Sequence, residues 1–138
     1  MKSSELMIGD WVMQDDNLQQ SKVCQITGIY NNAVVDVTGE KMPLHESHIK
    51  PILLTPEILE KNGFKPYIPE GHLETVYACQ DVSKAVADEL YALWPHQDGS
   101  FYLLLRVDGK DMVRMDVHYI HQLQHALRLC GITREIIL

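Results

Sequence analysis

The sequence predicts an α+β protein with an N-terminal SH3-like small β-barrel, a connecting helix, and a C-terminal antiparallel hairpin or sheet with packed helices. Three observations lead there. The first fifty residues break into short apolar runs separated by turn residues. A complete helix frame, Thr55-Pro56 to Gly63, follows them. Closer to the C-terminus a two-residue alternation, Phe101 to Val117, gives way to helical periodicity. The boundary is expected between residues 52 and 53, with 1–52 as the barrel and 53–138 as an α+β subdomain that forms one compact unit with it.

Trp11-Val12-Met13 follows a Gly9-Asp10 turn and reads as the first strand. Val23, Ile26 and Ile29 mark a second, with Gly28 as its bulge or bend. Asn31-Asn32 tolerates φ > 0 and suits a tight turn into Ala33–Val37. Thr38-Gly39-Glu40 then turns into Lys41–Leu44. Strands this short suit a small barrel better than a sandwich. Thr55 caps a helix over Pro56–Asn62 that turns Ile58 and Leu59 inward, and Gly63 stops it. Lys65–Gly71, with two prolines, has the composition of a linker. His72–Cys79 reads as a strand. Asp81 caps a helix to about Leu93, with Val82, Val86, Leu90 and Leu93 on one face, and Trp94-Pro95 ends it. Phe101, Leu103, Leu105 and Val107 alternate. Asp108-Gly109 turns the chain into Val113, Met115 and Val117, giving a hairpin with one buried face. A helix over Tyr119–Cys130, stopped by Gly131, and a terminal strand over Ile132–Leu138 complete the reading.

A hydrophobic fraction of 46% over 138 residues supplies a core without staples. No apolar stretch has the length of a signal peptide or a membrane span, so the expectation is a cytoplasmic chain without a membrane. The net charge is −7, and the twelve Lys and Arg residues are scattered. A phosphate-tracking surface needs a basic patch, so no nucleic-acid ligand is expected. Cys24, Cys79 and Cys130 form no CxxC and read as reduced, buried thiols.

Catalytic templates are absent: there is no phosphate-binding glycine loop and no GxSxG elbow. The aspartates of Asp15-Asp16 and Asp108…Asp111 fall in turns for backbone reasons. His45-Glu46-Ser47-His48 is one residue short of the HExxH zinc spacing. HYIHQLQH is the one constellation worth weighing. His118, His121 and His125 share a helical arc of roughly 60°, opposite the aliphatic stripe of Ile120, Leu123, Leu127 and Cys130. Neutral imidazoles at this spacing can converge on zinc, and a polar or partner-facing stripe has the same spacing. The polar stripe is the expectation, with no metal and no cofactor. Trp11 and Tyr30 are candidates to line a groove on the barrel, as aromatics do in peptide-binding SH3 domains. Packing of Trp11 inside the barrel is the other reading.

MKSSELMIGDWV, IKPILLTPEILEKNGF and VHYIHQLQHALRLCGITREIIL together resemble a family of small, functionally uncharacterised proteins from gut bacteria and their prophages. The matching motifs fall on Leu6–Val12, Pro51–Phe64 and Tyr119–Gly131, and the segment from about Lys65 to Lys110 has no match. The HQLQ block, His121 to Gln124, is the most specific piece. The resemblance implies a mobile-element context and no particular chemistry. It also implies that only His121 of the three histidines follows the family pattern, so a metal site needing all three would be peculiar to this chain.

The functional expectation is a non-enzymatic binding or accessory protein of a mobile element or prophage, engaging another protein. Trp11, Tyr30, His121, Gln122 and Gln124 are its candidate partner-binding residues, and a homo-oligomer is left open. The alternative is a small metal-assisted hydrolase using His118, His121 and His125. A third is an acidic decoy that occupies a nucleic-acid-binding protein of the host.

Overall fold

The computed structural model describes residues 1–15, 20–78, 89–107, 110–132 and 134–138. The protein is α+β, mostly antiparallel strands with two α-helices among the described residues. It divides into two units, Met1–Leu53 with Tyr119–His125, and Leu54–His118 with Ala126–Leu138. No helix of the described residues is long and apolar enough to cross a membrane.

The first unit holds five strands: β1 (Trp11–Asp15), β2 (Ser21–Tyr30), β3 (Val34–Val37), β4 (Leu44–His45) and β5 (Ile49–Lys50). Their order in the sheet is β4-β3-β2-β1-β5. The two shortest strands are its ends, and no closed barrel forms among the described residues. Alternation sets the core: Val12, Cys24, Ile26, Val35, Val37 and Ile49 are buried together with Leu6. The β2–β3 register shifts between Ile26 and Gly28, where the sequence placed a bulge. A Cβ at Gly28 would stand 3.0 Å from Asp36 Oδ2 and 3.2 Å from the Tyr30 ring. A side chain there would require the Asp36 and Tyr30 side chains to give by a few tenths of an ångström.

Two expectations need correction in this unit. The residues with positive φ are Asn32 (69°) and Ala33 (60°), not Asn31 and Asn32, so the turn sits one residue later than its sequence suggested. The strand expected over Lys41–Leu44 shrinks to Leu44–His45, and Glu46–His48 is a 3₁₀ turn, like Ser3–Glu5.

The second unit begins with α1 (Pro56–Lys61), where Thr55 Oγ1 accepts from Ile58 N–H and Pro56 opens the helix as expected. Five strands follow: β6 (Lys65–Tyr67), β7 (Val76–Ala78), β8 (Glu89–Pro95), β9 (Phe101–Val107) and β10 (Lys110–Val117). They form an antiparallel meander in the order β10-β9-β8-β7-β6. The expected β9–β10 hairpin is present, with Phe101 opposite Val117 and Leu103 opposite Met115. Its turn, Asp108-Gly109, lies outside the described residues. So do Cys79 and the first half of the helix expected over Asp81–Leu93.

The second half of that helix is overturned, because Glu89–Pro95 is strand β8, paired along its length with β9. The supposed linker contains β6. Pro66 is tolerated there because β6 ends the sheet, where a missing N–H costs no ladder bond. The terminal strand expected over Ile132–Leu138 does not form among the described residues. Asn62, at the end of α1, substitutes for a ladder: its Nδ2 donates to Ile137 O and its Oδ1 accepts from Ile137 N–H.

The second helix, α2 (Ile120–Leu129), runs from the first unit into the second. Gln122 Oε1 accepts from Tyr119 N–H, the returning half of a capping box. At the other end Ile132 N–H bonds Leu127 O and Gly131 N–H bonds Arg128 O, a Schellman closure that needs Gly131 at φ 73°.

Candidate functional site

The aliphatic stripe of α2 is as expected, with Ile120, Leu123 and Leu127 buried. The opposite face is not polar and wet. His121 is 5% exposed and Gln124 8%, while Leu129 is 76% exposed. The reason lies more than a hundred residues away, in the Gly9–Trp11 loop. Gln124 Oε1 accepts from Trp11 N–H at 2.9 Å, and its Nε2 donates to Gly9 O at 3.0 Å. Asp10, fully buried, accepts through Oδ2 from Met7 N–H and from His125 Nε2, each at 2.7 Å. The Asp10 carboxylate in this contact is fully buried, and the His125 ring is 22% exposed. Ile26 N–H bonds Asp10 O and Gly9 N–H bonds Ile26 O, which ties the loop to the sheet.

His121 sits inside this junction. Its ring is stacked on Tyr119 (5.9 Å, 11°) and stands edge-on to His125 (5.7 Å, 78°). Its Nδ1 is buried with no hydrogen-bond partner among the described residues. Burial pushes the imidazole below its ordinary value and His125 adds to that, while Asp10 and Glu5 pull the other way. A cleft of about 500 Å³ opens beside it, lined by Glu5, Pro51, Tyr119, His121, Gln122 and His125 with Met1.

The residues singled out in the sequence therefore scatter in role. Gln124 and His121 are buried in the junction, and Gln122 caps α2. Trp11 is half-buried and contributes its backbone to the Gln124 clamp. Tyr30 is 53% exposed and donates its hydroxyl to Asp36 Oδ2 across Gly28. Neither Trp11 nor Tyr30 lines the cleft. His118 is exposed and belongs to the second unit, while His121 and His125 line the cleft of the first. Among the described residues no group of three or more His, Cys, Asp or Glu is placed to hold a metal ion.

His118 lines a different cleft, which the sequence did not reveal. It is open, about 650 Å³, and bordered by Glu74, His96, Asp98, Tyr102 and Asp116 as well. The β8–β9 hairpin builds it. His96 N–H bonds Ser100 O, closing a loop with Gly99 at φ 87°. Ser100 donates both N–H and Oγ–H to Asp98 Oδ1, which holds that carboxyl below its usual range. His96 Nε2 lies 3.0 Å from Asp116 Oδ1. A run of rings continues from the cleft: His96 against Tyr102 (5.0 Å), Tyr102 beside Trp94 (6.4 Å, 14°), and His72 edge-on to Trp94 (5.2 Å). Arg114 covers the Tyr102 ring at 4.2 Å. The signal that was available is Asp98-Gly99, a hairpin turn between two apolar runs, which would have placed Trp94 and Tyr102 opposite each other.

Compared with protein-family models, with curated proteins and with solved structures, the chain matches none.

Proposed function

We propose that the chain is a non-enzymatic binding protein whose partner is another protein, engaged through the aromatic and histidine surface of the second unit. The observation that supports this reading is the unbroken run of rings His72, Trp94, Tyr102 and His96 beside an open cleft. Aromatic residues and arginine are the side chains enriched at protein interfaces and at their hot spots. Leu73, between His72 and the cleft residue Glu74, is 98% exposed and supplies an apolar contact at the edge. The cleft is polar and shallow, whereas small-molecule sites are enclosed and mostly apolar. This moves the partner surface away from Trp11, His121, Gln122 and Gln124, which the first unit uses internally.

The wider setting belongs to the same proposal. The N-terminal sheet is read as SH3-like on its short antiparallel strands and their order. The family resemblance supports a prophage or mobile-element context, a cytoplasmic setting is part of the same proposal, and the acidic charge argues against nucleic acid as the ligand. No observation favours the metal-assisted hydrolase.

Panning a random peptide display library against the full chain tests the surface. Enriched peptides should bind Trp94→Ala and Tyr102→Ala about tenfold or more weakly, as truncated hot spots do. They should bind Tyr30→Ala unchanged. Peptides that bind the Trp94 and Tyr102 variants as well as the parent would end the proposal.

A further inference from the structure

Three hydrogen bonds fasten α2 to the loop before β1: His125 to Asp10, and Gln124 to both Trp11 and Gly9. They join residues 113 to 115 positions apart. His121 makes none of them, yet its ring fills the space beside them. As a neutral imidazole it leaves one buried nitrogen unsatisfied. Protonated, it would bury a positive charge, which is costlier.

The groups facing His121 offset that cost only in part. Asp10, from the loop, already accepts from Met7 N–H and from His125 through the same oxygen. Glu5, from the first 3₁₀ turn, is exposed at the rim of the cleft. His125 stands edge-on and itself holds Asp10 Oδ2. Tyr119 offers a ring face, and the Met1 amino group donates to Ile49 O. The adjoining cleft gives a charged ring a route to water.

We infer that the junction is an acid-released clasp, in which protonation of His121 frees the first turns of α2 from the Gly9–Trp11 loop. The loosening is local, because Val12, Cys24 and Ile49 stay buried without help from the imidazole. The device is independent of the partner surface proposed above and stands or falls separately.

Amide exchange and imidazole spectra of the full chain, followed by NMR from pH 7.5 to 5.5, test it. The protection factor of the Trp11 amide should fall as His121 titrates, by at most about tenfold per pH unit, the limit for uptake of one proton. In His121→Gln it should stay flat. An equal fall in folded His121→Gln, or titration of His121 with Trp11 protection unchanged, would overturn the clasp. If His121→Gln does not fold, the parent alone decides: the two titrations coincide, or the clasp is wrong.

Discussion

Gln124 completes two backbone groups with one amide, so its removal should be felt at both ends of the sequence. Gln124→Leu keeps the size of the side chain but takes a partner from Trp11 N–H and Gly9 O. Loss of a buried hydrogen-bond partner costs about 1–3 kcal/mol, and urea titration should show a loss in that range. A neutral outcome would mean that water serves the loop equally well. Ala33 works in the other direction. Its φ of 60° presses Cβ toward the following carbonyl, a conformation glycine adopts freely. Ala33→Gly should therefore stabilise the first unit by about 0.5–1 kcal/mol, measured as a higher urea midpoint at unchanged slope. At this scale the sequence was partly legible. The turn after Tyr30, one residue later than expected, and the Gly28 bulge were visible because their causes are local. The burial of His121 and Gln124 was not, since what buries them is a loop more than a hundred residues distant, and periodicity reports only the residue's own helix.

Strand β8 shows how local preference loses to pairing. Glu, Leu and Ala favour helix, and Val86, Leu90 and Leu93 have helical spacing. Yet Tyr91–Trp94 pair residue for residue with β9, and Ala92 and Leu93 are buried. Sheet membership depends on what lies opposite, which no window of this length contains. The helices fared better because their caps are local: Thr55-Pro56, Gln122 and Gly131 each act within a few residues of the end they fix. If β8 is a core strand, Leu93→Ala should cost about 2–5 kcal/mol, as cavities in a packed interior do. Leu129→Ala on α2, exposed despite its apolar side chain, should cost under about 0.5 kcal/mol. Equal losses for the two, read from denaturant midpoints, would put both assignments in error.

For the whole molecule, the fold class was readable and the arrangement was not. Alternation announced antiparallel strands, but the order β10-β9-β8-β7-β6 and the open first sheet rest on pairings between distant segments. The pH profile of stability gathers the perturbed groups of both units. On the acid side, His121 is held below its ordinary 6.5 by burial, so the unfolded chain takes up its proton first. Stability should be whole at neutral pH and begin to fall as pH drops through about 6.5. Glu46, which accepts from Ser3 N–H, and Asp98, which accepts from Ser100, are held below 4.5 and 3.8. Their contribution is present above those values and is lost as pH falls through the folded pKa, a second decline at lower pH. On the alkaline side burial pushes the Cys24 and Cys130 thiols above 9.0 and the Tyr67 and Tyr77 phenols above 10.0. Asp36, through its bond to the hydroxyl, raises Tyr30 too. These groups favour the folded state while neutral, so their contribution is complete below the unfolded values and is lost as pH rises through the folded ones. The expected curve is a plateau from about pH 7 to 8.5 with two acid steps and one alkaline fall. Urea midpoints at half-unit intervals would draw it, with Trp11→Phe and Trp94→Phe variants reporting the two units separately. A midpoint that holds constant from pH 7 down to 5 would remove His121 from the balance, and one that rises above pH 9 would reverse the sign assigned to the buried thiols and phenols.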